Sequence, residues 1–280
     1  MANTNFGVEL TDSQFRRISE LIYKLAGIDL QKSKKQLVKA RLNSRLRELE
    51  LTSFDQYLAR LSSDRSGNEL VMMLDSISTN LTSWFRERHH FNYLREEIIP
   101  QILSRKKNPR KVRIWSAGCS SGEEPYSIGI TLLEAIGNLP NWDMRILATD
   151  LSTRVLRMAS SGIYPEKRMS GMPETVCRRY FNLGLRHGEK IYQAKPDLKR
   201  MISFNRLNLM ESWPMPGPFD VIFCRNVMIY FDKPTQNRLI NRYHDLLSPG
   251  GILFLGHAES LAGTTSPFTY IEPAIYRRPK

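Results

Sequence analysis

The chain is predicted to be an α/β protein preceded by an all-helical segment, and three patterns in its 280 residues carry that prediction. Up to about Ile77 apolar residues recur at spacings of three and four, the period of amphipathic helices, and nothing alternates with period two. From Val112 onward short apolar runs alternate with helical patterns, which predicts a mostly parallel sheet with crossover helices. A stretch at about 178–206 breaks that rhythm with short strand-like runs and turns, which predicts a small antiparallel insertion.

Each element has its own signals. Thr11 or Asp12 can cap a first helix whose Phe15, Ile18, Leu21, Ile22 and Leu25 share a face, and Gly27 ends it. Ser33 precedes a second helix with Leu37, Val38, Leu42 and Leu46 inward. Phe54, Tyr57, Leu58 and Leu61 mark a third, and Leu70 to Ile77 a fourth. Residues 1–77 are therefore read as one helical domain. Residues 78–111 are read as a bridge: a loop at Ser78–Ser83, a helix from Phe91 to Leu103 and a basic turn at Arg105–Lys111. The remainder, 112–280, is the α/β domain. Its strands are expected at Val112–Ser116, Met144–Thr149, Phe219–Cys224 and Gly251–Leu255, its helices at Pro125–Ile136, from Thr153, and at Thr235–Leu247. Tyr180–Leu183, Lys190–Ala194 and Met201–Phe204 are assigned to the insertion, with a hairpin tip in Gly184–Glu189.

Composition removes several classes. Hydrophobic content of 41% with 25% charge is ordinary globular usage. The three cysteines lack C-x-x-C spacing, so neither a disulfide framework nor a metal site is expected. No apolar run approaches the roughly 18 residues of a membrane span, and the polar first twelve residues do not read as a secretory signal, so a cytoplasmic protein is expected. The formal net charge of +13 calls for an acidic partner or serves solubility alone.

Four segments carry chemistry. Ser116 to Pro125 follows a strand and opens a helix, and its small residues allow a ligand close to the backbone. It ends in Glu123-Glu124, which would repel a pyrophosphate at the helix N-terminus. A ligand with hydroxyls or a positive charge, such as S-adenosylmethionine, suits it better, although the acids also complement the helix dipole. Asp150 ends the second strand, where an acid can accept hydrogen bonds from ribose hydroxyls or cap the next helix. Phe223 to Asp232 places Arg225, Asn226 and Tyr230 at the carboxyl end of a buried strand, where parallel sheets bind ligands. In Thr79 to Arg86 an arginine follows two aromatics, as a carboxylate clamp or as part of a packed linker.

Taken together these segments closely resemble the bacterial chemotaxis receptor methyltransferases of the CheR type. The matching runs are Asn80–Arg86, Trp115–Ser127, Ala148–Asp150, Gly162–Tyr164, Asn208-Leu209, Phe219–Asp232, Pro249–Gly251 and Gly256–Ser260, in order across nearly the whole chain. The resemblance implies a Rossmann-like methyltransferase domain carrying an inserted antiparallel subdomain and preceded by a helical domain. It implies methyl transfer from S-adenosylmethionine, leaving S-adenosylhomocysteine, to glutamate side chains of chemoreceptors, with no metal. Carried over by motif, the cofactor contacts are Asn80, Thr82, Arg86, Glu124, Asp150, Asn208, Leu209, Arg225 and Asn226, with Arg86 facing the methionine carboxylate and Asp150 the ribose. Arg86 and Tyr230 are expected nearest the methyl group. Members that tether to a receptor's C-terminal peptide have a glycine-rich hairpin tip; Gly184 to Gly188 here has fewer glycines, which counts against tethering.

No histidine or cysteine nucleophile is needed, because a glutamate with a pKa near 4.3 is already ionised at pH 7. A nucleic-acid methyltransferase is disfavoured: the chain has neither a Pro-Pro-aromatic run nor a Pro-Cys dipeptide. A non-catalytic cofactor-binding adaptor is the other alternative, against which stand Gly122, Asp150, Arg225 and Tyr230. Residues 31–47 hold seven basic residues and no acid, so the helix at about 33–48, with Lys39, Arg41 and Arg45, is the expected face for the acidic helical bundle of a receptor. A monomer is expected.

Overall fold

A computed structural model describes residues 7–105, 110–137, 139 and 141–280. Most of the basic turn expected at 105–111, namely 106–109, lies outside the described residues, as do the first six residues of the polar start.

The helical domain contains α1 (Asp12–Ala26), α2 (Lys35–Glu48), α3 (Phe54–Ser63) and α4 (Asn68–Ile77). Thr11 and Gln14 close a reciprocal capping box at the start of α1. Phe15, Ile18, Val38, Leu42, Leu46, Phe54 and Met73 form its buried core, as their spacing predicts. The bridge continues into α5 (Arg88–Tyr93), a π-helical turn at Leu94–Ile98 and α6 (Ile99–Arg105). This stretch packs Phe91 on Phe223 and belongs to the core of the α/β domain.

The α/β domain follows as β1 (Lys111–Ala117), α7 (Glu123–Ile136), β2 (Asp143–Asp150), α8 (Thr153–Ser161), β3 (Ile163–Pro165), α9 (Glu174–Tyr180), β4 (Phe181–Arg186), β5 (Glu189–Ala194), α10 (Pro196–Lys199), β6 (Ile202–Arg206), β7 (Phe219–Cys224), α11 (Lys233–Leu246), β8 (Leu247–Leu255), β9 (Thr269–Glu272) and β10 (Ile275–Arg277). Seven strands form one sheet in the order β6-β2-β1-β7-β8-β10-β9. β6 through β8 run parallel, while β10 is antiparallel to both neighbours. The chain moves outward from β1 to β2 and later to β6, then returns to lay β7 on the other side of β1. That reversal opens a crevice at the carboxyl ends of β1 and β7, where such sheets bind ligands.

The insertion differs from expectation at both ends, since the small sheet takes in β3 and leaves out β6. Met201–Phe204 was assigned to the antiparallel piece, but β6 pairs with β2 in parallel register, Ile202 opposite Ile146 and Arg206 opposite Asp150. The small sheet is completed by β3, in the order β3-β5-β4. An apolar run of five residues suits either sheet; the burial of Ile202 and Leu198 near α7 and β2 selects the large one. The hairpin tip is a two-residue turn at His187-Gly188, both with positive φ, which is the geometry of a tight hairpin turn. β9 and β10 carry no strong pattern and were not anticipated.

The two domains are bonded directly. The Asp75 carboxylate of α4 accepts from the backbone N–H and hydroxyl of Thr153 at 3.0 and 2.8 Å, so an acid of the helical domain caps α8. The Asn208 amide donates to the Leu25 carbonyl at 2.7 Å, and the Tyr23 hydroxyl to Asp232 at 2.8 Å.

Candidate active site

A cavity of about 510 Å³ lies over the carboxyl ends of β1, β2 and β7, within the roughly 300–1,000 Å³ of small-molecule sites. Asn80, Thr82, Arg86, Glu124, Asp150, Asn208, Leu209, Arg225, Asn226 and Tyr230 all line it, although they come from five separate segments. The helical domain supplies the facing wall through Ile28, Asp29, Leu37 and Arg41, a contribution that sequence reasoning missed.

The floor is the turn between β1 and α7. The N–H groups of Gly118 and Cys119 both donate to the Thr149 carbonyl, at 2.8 and 2.9 Å, which folds the turn over the end of β2. Gly118 and Gly122 have φ near +100°. A Cβ on Gly118 would meet Val227 at 2.4 Å, and one on Gly122 the Tyr164 hydroxyl at 2.6 Å, so the turn tolerates no side chain at either position.

Asp150 accepts the N–H of Ser120 at 2.8 Å and that of Ser152 at 2.9 Å, one on each carboxylate oxygen. Burial raises its pKa and these N–H groups oppose the rise. A carboxylate has about four acceptor sites, so Asp150 retains capacity for a pair of ligand hydroxyls.

Arg225 is the keystone of the far side. Its guanidinium donates to Glu124 at 2.9 Å, to Glu87 at 3.0 Å and to the Arg86 carbonyl, and it lies 5.6 Å from the Phe91 ring centre. Its side chain is 1% exposed. Glu124 accepts a further bond from Ser116 at 2.7 Å, yet burial still raises its pKa. Glu87 is the opposite case: burial pushes its pKa up, but Arg225 and His257 together bring it below the usual value. Arg225 is thus shared among Glu124, Glu87 and the Arg86 carbonyl, and Glu124 between Arg225 and Ser116, so both set the shape of the cavity more than they project into it. Asn208 is similarly engaged, by Leu25 and by the N–H of Met210.

Other groups remain open. Arg86 makes one side-chain hydrogen bond, to the Leu81 carbonyl at 2.9 Å. The Asn80 amide nitrogen is buried with no partner among the described residues, although it borders the cavity. The Tyr230 hydroxyl reaches the Thr79 carbonyl only at 3.5 Å, and burial raises its pKa, so it stays a protonated donor at neutral pH. An open guanidinium, an orphaned amide and a carboxylate with spare acceptors match the carboxylate, adenine and ribose of S-adenosylmethionine.

Two supports escaped sequence reasoning. Glu259, after β8, accepts from the N–H groups of Asn226, Ile229 and Gly256 at 2.8, 3.1 and 2.6 Å and so fixes the loop bearing Asn226 and Tyr230. Glu87 anchors Arg225 from the bridge, where Phe85 and Glu87 hold positive φ of 49° and 58°. Trp84 holds the same bridge, its ring nitrogen donating to the Arg168 carbonyl at 2.7 Å, so the aromatic pair does serve as a packed linker. Glu87, His90 and His257 form a grouping of possible metal ligands, but Arg225 occupies the carboxylate and its charge would oppose a cation.

The basic helix needs correction. Arg45 is turned inward, donating to both oxygens of Glu69 at 2.8 and 2.6 Å and to Glu48 at 2.6 Å. Arg41 lines the cavity and donates to the Ile77 carbonyl, while Lys39 pairs with Glu9. The basic run is offset by acids distant in sequence, and the exposed cations of this region are Lys32, Lys34 and Arg47.

Comparison with known proteins agrees with the geometry. Residues 80–276 match the SAM binding domain of the CheR methyltransferases, and residues 13–78 their all-alpha domain. The chain belongs to the CheR methyltransferase family. It is similar to the chemotaxis protein methyltransferase of Borreliella burgdorferi, 40% identical over 278 residues, covering 98% of this chain and 97% of that one. It is also similar to that of Escherichia coli, 41% identical over 269 residues, covering 95% and 91%. A probable chemotaxis protein methyltransferase of Rhizobium etli is 41% identical over 243 residues, covering 87% and 91%. Family membership makes the chain a SAM-dependent methyltransferase. No helix among the described residues is long and apolar enough to cross a membrane.

Proposed function

We propose that this chain transfers a methyl group from S-adenosylmethionine to glutamate side chains on the cytoplasmic helical bundle of chemotaxis receptors. The observation that carries the reading is the convergence of ten motif residues on one cavity, in a chain of the CheR family. The cofactor's sulfonium supplies the electrophilic methyl.

The chain's own residues then have to bind, orient and exclude water. Asp150 receives ribose hydroxyls, Asn80 the adenine edge, and Arg86 the amino-acid carboxylate. Glu124 acts with Arg225 to hold the wall between them. The accepting glutamate arrives ionised, so no general base is required and the rate depends on near-attack positioning in a water-poor cavity. Tyr230 and Arg86 are the polar groups placed to orient that carboxylate. Arg41, on the helical wall, adds a positive charge on the side from which a receptor helix would enter. The glycine-poor hairpin tip gives no support to a receptor peptide docking on the small sheet.

The test is transfer of tritium from labelled cofactor to a receptor cytoplasmic fragment. The expected product releases volatile methanol in base, as a carboxyl methyl ester does. Label in RNA or DNA, or no base-labile ester on the fragment, overturns the reading.

A further inference from the structure

The distribution of charge does not follow the basic helix. Residues 1–77 contain twelve Lys or Arg against ten Asp or Glu, a surplus of only two. Residues 151–206 contain twelve against four, a surplus of eight out of the chain's thirteen. Three of those four acids are matched locally: Glu166 to Lys190, Glu174 to Arg178 and Asp197 to Arg200. Arg154 and Arg157 on α8, and Arg206 at the end of β6, are exposed and have no acidic partner among the described residues.

Arg154 and Arg206 adjoin the cavity through the lining residues Leu151 and Leu207, and Arg157 lies one turn along α8 from Arg154. Arg206 stands opposite Asp150 in the sheet, and Arg154 follows the cavity-lining Leu151 by three residues. Arg154 also lies near enough to Arg41 for the two charges to repel. The arrangement works against the fold's own stability. Arg154 occupies the first turn of α8, the positive end of the helix dipole, and Arg157 sits three residues on, where like charges repel. The one acid at that end, Asp75, is spent on the N–H groups of Thr153 and Arg154. The partly exposed Met158 lies beside them and adds an apolar contact. Uncompensated like charge held at the rim of a binding site is the mark of a surface that meets an opposite charge.

We infer that the exposed face of α8, with Arg154 and Arg157 and extended by Arg206, is a docking strip for the acidic face of the receptor's helical bundle. The inference rests on the proposed function and names a surface of this chain that the recognised motifs do not include. A helix that delivers a glutamate into the cavity must cross its rim, and acids three or four residues apart on that helix share one face and match the one-turn spacing of the two α8 arginines.

The experiment uses the full chain with Arg154→Glu and Arg157→Glu together, and with both as Ala to separate lost attraction from added repulsion. For a soluble receptor fragment at low salt, KM is expected to rise roughly tenfold or more for the reversal and less for the alanine pair, with kcat and cofactor affinity unchanged. The gap should close as salt is raised toward 0.5 M, because exposed charges are screened. Unchanged KM in both variants overturns the inference. So does loss of binding to vesicles containing anionic lipid while methylation of the soluble fragment stays at the wild-type level, which would assign the strip to a membrane surface. A wild-type chain that leaves the fragment unmethylated overturns the parent reading, and this one with it.

Discussion

The two walls of the cavity are built differently. On the α/β side, buried or half-buried carboxylates strap the loops in place: Asp150 by two N–H groups, Glu259 by three, and Glu124 by Arg225 and Ser116. On the helical side the wall consists of side chains from one face of α2 and the turn after α1, tied across by bonds such as Asp75 to Thr153 and Asn208 to Leu25. The first wall is rigid because each charge it buries must be satisfied. The second is a docked domain whose face can vary without disturbing the sheet. Cofactor binding is thus expected to depend on the first wall, and receptor choice on the second together with the α8 strip whose first turn Asp75 caps.

Four experiments break or sharpen this contrast. The largest effect belongs to Arg225→Ala, which leaves the buried Glu124 without its cation and removes the arginine from the half-buried Glu87. Stability should fall by about 3–5 kcal/mol in denaturant unfolding, and cofactor binding should be lost with it. A drop below 1 kcal/mol would show that the strap does not hold the wall. Next comes Asp150→Asn. Cofactor affinity by calorimetry should weaken by about tenfold or more, the scale of a lost charged hydrogen bond, while receptor affinity stays constant. Asp75→Ala removes a helix cap supplied by the other domain and should cost about 1–2 kcal/mol. It should loosen receptor binding more than cofactor binding; the reverse order would undo the division of roles.

The smallest effect is a pH slope. His90 is fully buried beside Arg225, and burial lowers its pKa to about 3. The unfolded chain takes up that proton near pH 6.5. The stability from keeping His90 neutral is therefore complete above about pH 6.5 and is lost as pH falls toward 3. His90→Phe should flatten this limb of the stability-pH curve by up to one proton. An unchanged slope would mean that His90 is protonated in the fold.

Much of this was legible beforehand because the signals were local. A turn needing two glycines, an acid at a strand end and a polar cluster after a wholly apolar strand can each be recognised within ten residues. Arg45 was misread for the opposite reason. Its neighbours in sequence are basic, and the carboxylate that neutralises it, Glu69, lies on another helix. Glu259 stood in a recognised run but had no visible task, since its partners are backbone N–H groups of a loop some thirty residues earlier. The edge strand β6 was misplaced because a short apolar run does not encode its neighbour.

By itself, then, the sequence determined the helical period of the first domain, the α/β alternation of the second and the residue types that border the cavity, since these follow from spacing and side-chain chemistry along the chain. Only the tertiary structure decided which of those residues face a ligand and which are consumed by each other, which wall the helical domain builds, and which cations remain uncompensated. Those outcomes depend on which charges meet across folded distance, and a buried or paired charge differs from a solvated one only once its partners are in place.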